Sequence, residues 1–343
     1  MRHLLATALL TACTTTTTGT TAAPSTICPG PDLFSHAVCA CEDFSHVGEI
    51  RVLAGAAGPG SVGVNGKTQL VASAAIAGSF DAYGGLQSVG ASVGDSLHTA
   101  GDVQLTGSMS IANDASIGGN LEAVGHLDVG GTLGVAGTSA IVGTSSIAAR
   151  GNYAPAARPC GCDPATEFSV AGAVASAKLA AGGGTSWDSA AGQDLHLPTG
   201  NYYVTSAQIV GATTIHIEGK ASVFVDGSLE TVGATKWQLA PGGELDLFVA
   251  GSIESVGSLT AGDPARGAAF RLYLGGDQSD LDIVGSGDFA GTIYAPTAAV
   301  HHVGDLHVAG SLFARTVEGV GKLTVEYATP LSVPTSCDAD PQF

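Results

Sequence analysis

Apolar and polar positions between Asp102 and Ala149 follow a six-residue beat: DVQLTG, SMSIAN, DASIGG, NLEAVG, HLDVGG, TLGVAG, TSAIVG, TSSIAA. The fourth place holds Leu105, Ile111, Ile117, Ala123, Val129, Val135, Ile141 and Ile147. The second holds Val103, Met109, Ala115, Leu121, Leu127 and Leu133, then Ser139 and Ser145. Residues two apart on a strand share a side, so both places face inward. Gly fills the sixth place except at Asn113 and Ala149, and Gly tolerates the positive φ of a corner. Short strands joined by glycine corners at a fixed period predict a β-solenoid, parallel and of the right-handed β-helix type. Three hexads make one turn, and stacked rungs lie about 4.8 Å apart.

The rest of the chain divides around this stretch. Glu49 to Gly101 alternates less regularly (EIRVLAG, SVGVNG, LQSVG, SLHTAG), and residues 28–158 are read as one N-terminal solenoid. Asn152 to Asp163 (NYAPAARPCGCD) is rich in Pro, Gly and Cys and marks the boundary to a second block, 159–337. Within it, 167–181 (EFSVAGAVASAKLAA) predicts the one helix. Its inner face is Phe168, Ala171, Val174, Ala175 and Leu179, its N-cap Thr166, and its stop Gly182-Gly183-Gly184. Beyond it VFVDGSLETVG (Val223–Gly233) recurs as LFVAGSIESVG (Leu247–Gly257), with a degenerate third copy at Leu306–Gly321. Such self-similarity predicts stacked β rungs. Residues 338–343 form a tail.

The N-terminus reads as an export signal. Arg2 precedes an apolar run, Leu4 to Leu10, and then Leu-Thr-Ala-Cys, which resembles a bacterial lipobox with Cys13 as the lipidated residue. On this reading residues 1–12 are removed and 13–27, rich in Thr, form a disordered tether. Thr14 follows the cysteine where Asp would retain a lipoprotein at the inner membrane, which points to the outer membrane. No other segment has the ~20 apolar residues of a membrane span.

Composition narrows the partners. Charged residues are 12% and the formal net charge is −18, so nucleic acid, which needs Lys and Arg at its phosphates, is excluded as a ligand. Hydrophobic residues are 45%, too many for a disordered chain. Without Cys13 the cysteines are Cys28, Cys39 and Cys41 before the hexads and Cys160, Cys162 and Cys337 after them. Each group is odd, so full pairing requires at least one disulfide between the blocks. Neighbours two apart on a strand pair poorly, so Cys39 and Cys41 take different partners, as do Cys160 and Cys162.

GELDLFVAGSIE, FAGTIYAPTAAV and GDLHVAGSLFARTVEGVGKLTVEY resemble a domain of unknown function of bacterial surface proteins, frequent in myxobacteria and related to the choice-of-anchor A type. The openings CACEDF and CGCDPA fit that group, and the resemblance covers about Cys160 to Leu331. The hexad half resembles bactofilins, polymer-forming β-helices, in pattern. Neither resemblance implies catalytic residues or a cofactor. Relatives close on His-Tyr-Asp before an aliphatic, whereas this chain has Glu326-Tyr327-Ala328.

Left-handed β-helix acyltransferases require a small residue where Leu121 and Leu133 stand. His301, His302 and His307 suggest a metal site, but adjacent histidines on a strand point to opposite faces. Cys39, Cys41, Cys160 and Cys162 would suit zinc, whereas export favours disulfides. A polysaccharide-lyase arrangement would draw on Asp226, Glu244, Asp246, Asp280, Asp282, Asp288 and Arg271, which fall on scattered rungs in no visible cluster. Thr213, Thr214 and Thr316 form no repeated threonine array of the kind that binds ice. The reading is therefore a non-enzymatic structural or adhesive lipoprotein, held on a membrane by its lipid, with a surface glycan or protein as partner. The alternatives are a carbohydrate-binding or carbohydrate-cleaving β-helix, and a self-associating subunit stacked end to end.

Overall fold

The structure, a computed structural model, describes residues 35–165, 167–189, 194–276 and 279–328. Cys13, Cys28, Thr166, Cys337 and the signal and tether segments lie outside the described residues. The chain folds as a parallel β-solenoid of about 14 turns.

Among the described residues eleven strands precede the helix: β1 (Val38–Ala40), β2 (Phe44–Leu53), β3 (Val62–Val64), β4 (Thr68–Ile76), β5 (Phe80–Ala82), β6 (Leu86–Val93), β7 (Leu97–Thr99), β8 (Val103–Ile111), β9 (Ala115–Ile117), β10 (Leu121–Val135) and β11 (Ser139–Gly151). After α1 (Val170–Ala181) come β12 (Thr185–Ser189), β13 (Leu195–Leu197), β14 (Gly200–Ile217), β15 (Lys220–Val225), β16 (Leu229–Leu239) and β17 (Glu244–Val249). The chain then continues through β18 (Ile253–Gly262), β19 (Phe270–Leu274), β20 (Asp280–Ala290), β21 (Thr292–Ala309) and β22 (Ser311–Glu326).

The hexads stack three to a turn: Leu121 pairs with Val103 below and Ser139 above, a spacing of 18 residues. Places two and four are buried from Val103 to Leu133. Among the described residues nothing stacks above the last rung, β11, and there Ser139 and Ser145 are exposed while Ile141 and Ile147 are half-buried. In the second block the turns vary, with lateral side-chain neighbours 22, 24, 28 and 19 residues apart.

The sixth-place glycines do two jobs rather than the single one expected. Gly125, at φ 130, turns the corner between two faces. Gly119 and Gly137 leave room for Asp102 and Asn120, whose side-chain oxygens accept the N–H of Asn120 and Thr138, at 2.6 and 2.9 Å.

The stacking order departs from the order of the chain. β22 pairs with β21 on one side and with β1 and β2 on the other. The first rung of the N-terminal block thus sits on the last rung of the C-terminal block, and one apolar core runs through both. The chain leaves the coil at Gly151 at one end and re-enters at Thr185 at the other. At roughly 4.8 Å per rung the intervening segment must span about 65 Å, which an extended run followed by a helix supplies.

That segment is a strap along the face of short strands. Ser116 Oγ donates to Ala154 O (2.8 Å), and Arg158 lies over the Tyr83 ring. The Asn65 side chain bonds both backbone groups of Cys160. Disulfides Cys39–Cys160 and Cys41–Cys162 then fix the strap to β1 and the loop after it. Beyond them α1 covers a column of rings in lateral register, Tyr203, Phe224, Phe248, Tyr273, Tyr294 and Phe313. Phe248 stacks on Phe224 and Tyr273 at 4.8 and 4.6 Å. Cys39 is the next member of that column, which places the disulfide where the rings stop.

Three expectations need correction. The helix begins at Val170, and its cap is Ser169, whose Oγ accepts the Gly172 N–H. Its inner face is Val170, Val174 and Ala177, while Leu179 is 85% exposed. In so alanine-rich a segment the aromatic column, not apolar periodicity, decides which side turns in. Finally, the copies at Val223 and Leu247 stack in register, but the one at Leu306 does not. The residue equivalent to Leu247 is Leu312. The string aliphatic-x-Val-Ala-Gly suits more than one corner of the coil.

Candidate binding face

Opposite edges of each long strand form two faces meeting at a glycine corner. On the first face the outward residue before that corner is valine on nearly every rung. The column runs Val210, Val232, Val256, Val284, Val303 and Val320, then crosses the block junction to Val47. It continues to Val71, Val89, Val124 and Val142, with Thr106 as the polar interruption. These valines are 42 to 66% exposed. β-branched side chains suit a strand, but an apolar column along the whole coil exceeds the scattered exposure of a typical surface.

A second outward column lies beside it. It reads Gln208, Glu230, Glu254, Asp282, His301 and Glu318, then Ser45, Gln69, Gln87, Gln104, Glu122 and Ala140. Neighbours on this column bond laterally, Gln208 to Glu230 and Gln87 to Gln104, both at 3.1 Å. A groove of about 410 Å³ opens beside its glutamines, with Lys67, Gly85 and Asp102 along its edge. A smaller cavity, about 330 Å³, lies between the end of α1 and Tyr203 and Phe224.

The carboxylates singled out in the sequence lie on three different faces. Asp226 accepts from Lys178 Nζ and Tyr203 OH, both at 2.7 Å, which holds its carboxyl below the usual range. Asp282 pairs with His301 and Asp288 with His307, each at 2.9 Å. The Asp280 backbone N–H donates to Ser252 Oγ. Glu244, Asp246 and Arg271 do converge, contrary to the expectation of scatter. Arg271 binds Asp246 through both Nε and Nη2, and Lys220 Nζ is 3.0 Å from Glu244. The six-residue 3-10 helix Pro264–Ala269 had hidden that Asp246 and Arg271 are lateral neighbours. The network is a mutually neutralised set, in which the bond to Asp246 raises Arg271 further above its ordinary value.

The histidines separate as strand geometry requires. His301 and His307 point outward, and His302 points into the core. There its Nε2 lies 3.1 Å from His46 Nε2, across Gly319 at the block junction. A Cβ on Gly319 would collide with the His302 ring. Burial, then the neighbouring His302, pull His46 down to about 4. His46 was not picked out in the sequence, although its place two residues after the inward Phe44 marks it as inward. Among the described residues no three His, Cys, Asp or Glu side chains are placed to share a metal ion. The four central cysteines form two disulfides between the N-terminal segment and the C-terminal block, as their odd grouping required, and so are not free to hold zinc. Thr213 and Thr316 are buried, so they form no surface array with Thr214.

A family model matches residues 161–332, half of the chain: Domain of unknown function (DUF7305). The chain belongs to that family. The match spans the lower strap, α1 and the C-terminal block, while the hexad block lies outside it. No curated protein matches the sequence. Among solved structures, an ice-binding protein from an Antarctic bacterium, Flavobacteriaceae, is similar at 12% identity over 88% of this chain and 97% of that one. The TM-score of 0.25 gives that likeness no weight in assigning a role.

Proposed function

We propose that this DUF7305 chain is a non-enzymatic structural or adhesive lipoprotein of the bacterial cell envelope. Cys13 carries the lipid, the threonine-rich segment is the tether, and the solenoid is a rigid rod displayed from the outer membrane. The observation that carries the reading is the valine column with its polar companion, repeated rung after rung. An extended, repeating surface suits adhesion to an extended partner better than catalysis, which needs a few groups converging on one point. The strap supports it by tying both blocks into one body, since the first crosslink, closing a loop of 121 residues, removes about 4–5 kcal/mol of unfolded-chain entropy in the loop model, and the second, two residues along on both segments, adds little to that. Fractionation tests the anchor. Native protein should take up acyl label and sediment with membranes, and Cys13→Ser should do neither. Identical fractionation of the two would end the lipoprotein reading.

A second reading has its own observation. Among the described residues β11 pairs with β10 alone, which leaves Ile141 and Ile147 half-buried at the end of the coil. An unpaired edge is a template for another chain. Sedimentation of the protein lacking its lipid would reveal concentration-dependent polymers on this reading, and a single monomeric species on the adhesive one.

A further inference from the structure

The corner between the strap face and the valine face carries a column of its own. Backbone bonds place Asp43, Lys67, Gly85, Asp102, Asn120 and Thr138 in equivalent positions on successive rungs. Where the side chain carries an oxygen it caps the next amide: Asp43 accepts from Lys67 N (2.7 Å), Asp102 from Asn120 N (2.6 Å) and Asn120 from Thr138 N (2.9 Å), whereas Lys67 has none to offer. Gly85 interrupts the series. It has no side chain, it sits at φ 112, and the groove opens there. Lys67 flanks the gap on one side and Asp102 on the other, and the Lys67 ammonium has no ion-pair partner among the described residues. The wall is Gln69, Gln87 and Gln104.

The outward column is acidic on both sides of this site, at Glu318 and Glu122, and uncharged within it. On a chain of net charge −18 the column thus turns to neutral amides at the groove, and the charges that line it, Asp43, Lys67 and Asp102, lie at the corner. Three primary amides at rung spacing both donate and accept, as hydroxyl groups do. Val71 and Val89 alongside offer apolar packing for the C–H face of a ring. A peptide strand would need an open sheet edge, and the strands here are paired on both sides.

We propose that this notch binds an uncharged linear polysaccharide running along the coil axis. Gln69, Gln87 and Gln104 read successive sugar units, and one unit seats over Gly85 between Lys67 and Asp102. The proposal rests on the adhesive reading and supplies its ligand class. Titration calorimetry of the full chain against soluble mannan, β-glucan and, as the anionic comparison, polygalacturonate tests it. A neutral glycan should bind, and Gln87→Ala with Gln104→Ala should weaken it by at least about tenfold, or about 1.4 kcal/mol. Lys236→Gln, exposed beyond the Gly233 corner and off this face, should leave it unchanged. The glutamines are exposed, so the melting temperature should not move. Binding of none of the neutral glycans, preference for polygalacturonate, or undiminished affinity of the alanine variant would overturn the site. If the notch fails while cells displaying the chain still attach to surfaces, the adhesive reading survives it. If the notch binds while such cells do not attach, that reading falls instead.

Discussion

Acid should loosen the junction between the two blocks well before it reaches the carboxylates. His46 and His302 are 1% and 2% exposed and share one hydrogen bond in the core. His46 is held at about 4 against 6.5 for a free imidazole, by burial first and by the charge of a protonated His302 second. His302 is lowered in the same direction. Below pH 6.5 the unfolded chain takes up a proton that the folded chain refuses, so stability falls as the pH drops from 6.5 to 4. At about 1.4 kcal/mol per pH unit, His46 alone gives a loss of about 3 kcal/mol by pH 4. Other groups act elsewhere. Asp81, Asp95, Asp226 and Asp263 are held below 3.8, so their stabilisation is lost only at lower pH. His98 is raised by its bond to Asp81, and its contribution is lost as the pH rises above 6.5. Urea unfolding at half-unit steps from pH 7 to 4 should therefore show a falling midpoint for the native chain. His46→Leu with His302→Leu, which replaces both partners by apolar groups, should remain folded and flatten the profile. Amide exchange should quicken first in β2 and β22. A native profile flat to pH 4.5, or the same slope in the double variant, would refute the reasoning.

Two further predictions follow from the coil and the cysteines. Ile117 is 2% exposed, so Ile117→Asp should cost several kcal/mol, whereas the outward Glu122→Ala should stay within about 0.5 kcal/mol; equal melting shifts would sink the inward register. With Cys39–Cys160 and Cys41–Cys162 formed, the cysteines left beside Cys13 are Cys28 and Cys337. Non-reducing peptide mapping should find them joined, and free thiols at both would contradict it.

The hexads made the coil, its inward places and its parallel stacking legible before any coordinates. They carry that information because a constant period and side-chain alternation are local properties. The cross-block pairing was half legible: the odd cysteine groups required a bridge, but not the stacking of β2 on β22, which joins residues over 270 apart. That contact depends on which open rung meets which, and the local pattern of any rung is the same. The candidate face was visible as a recurring Val-Gly pair (Val124-Gly125, Val232-Gly233, Val256-Gly257). The glycine was noticed and the exposed valine was not, because apolar residues are ordinarily assigned inward. The notch could not be read at all, since Gly85 looks like any other glycine until its neighbours above and below are known.

The central claim, that this rod is an adhesin held outside the cell by a lipid, is tested most directly by the attachment of intact cells. Cells carrying the native chain should bind polysaccharide-coated surfaces and should label with an antibody to the rod without permeabilisation. Cells carrying Cys13→Ser should lose both. Attachment unchanged by that substitution, or a rod reached by antibody only after the envelope is opened, would contradict the account.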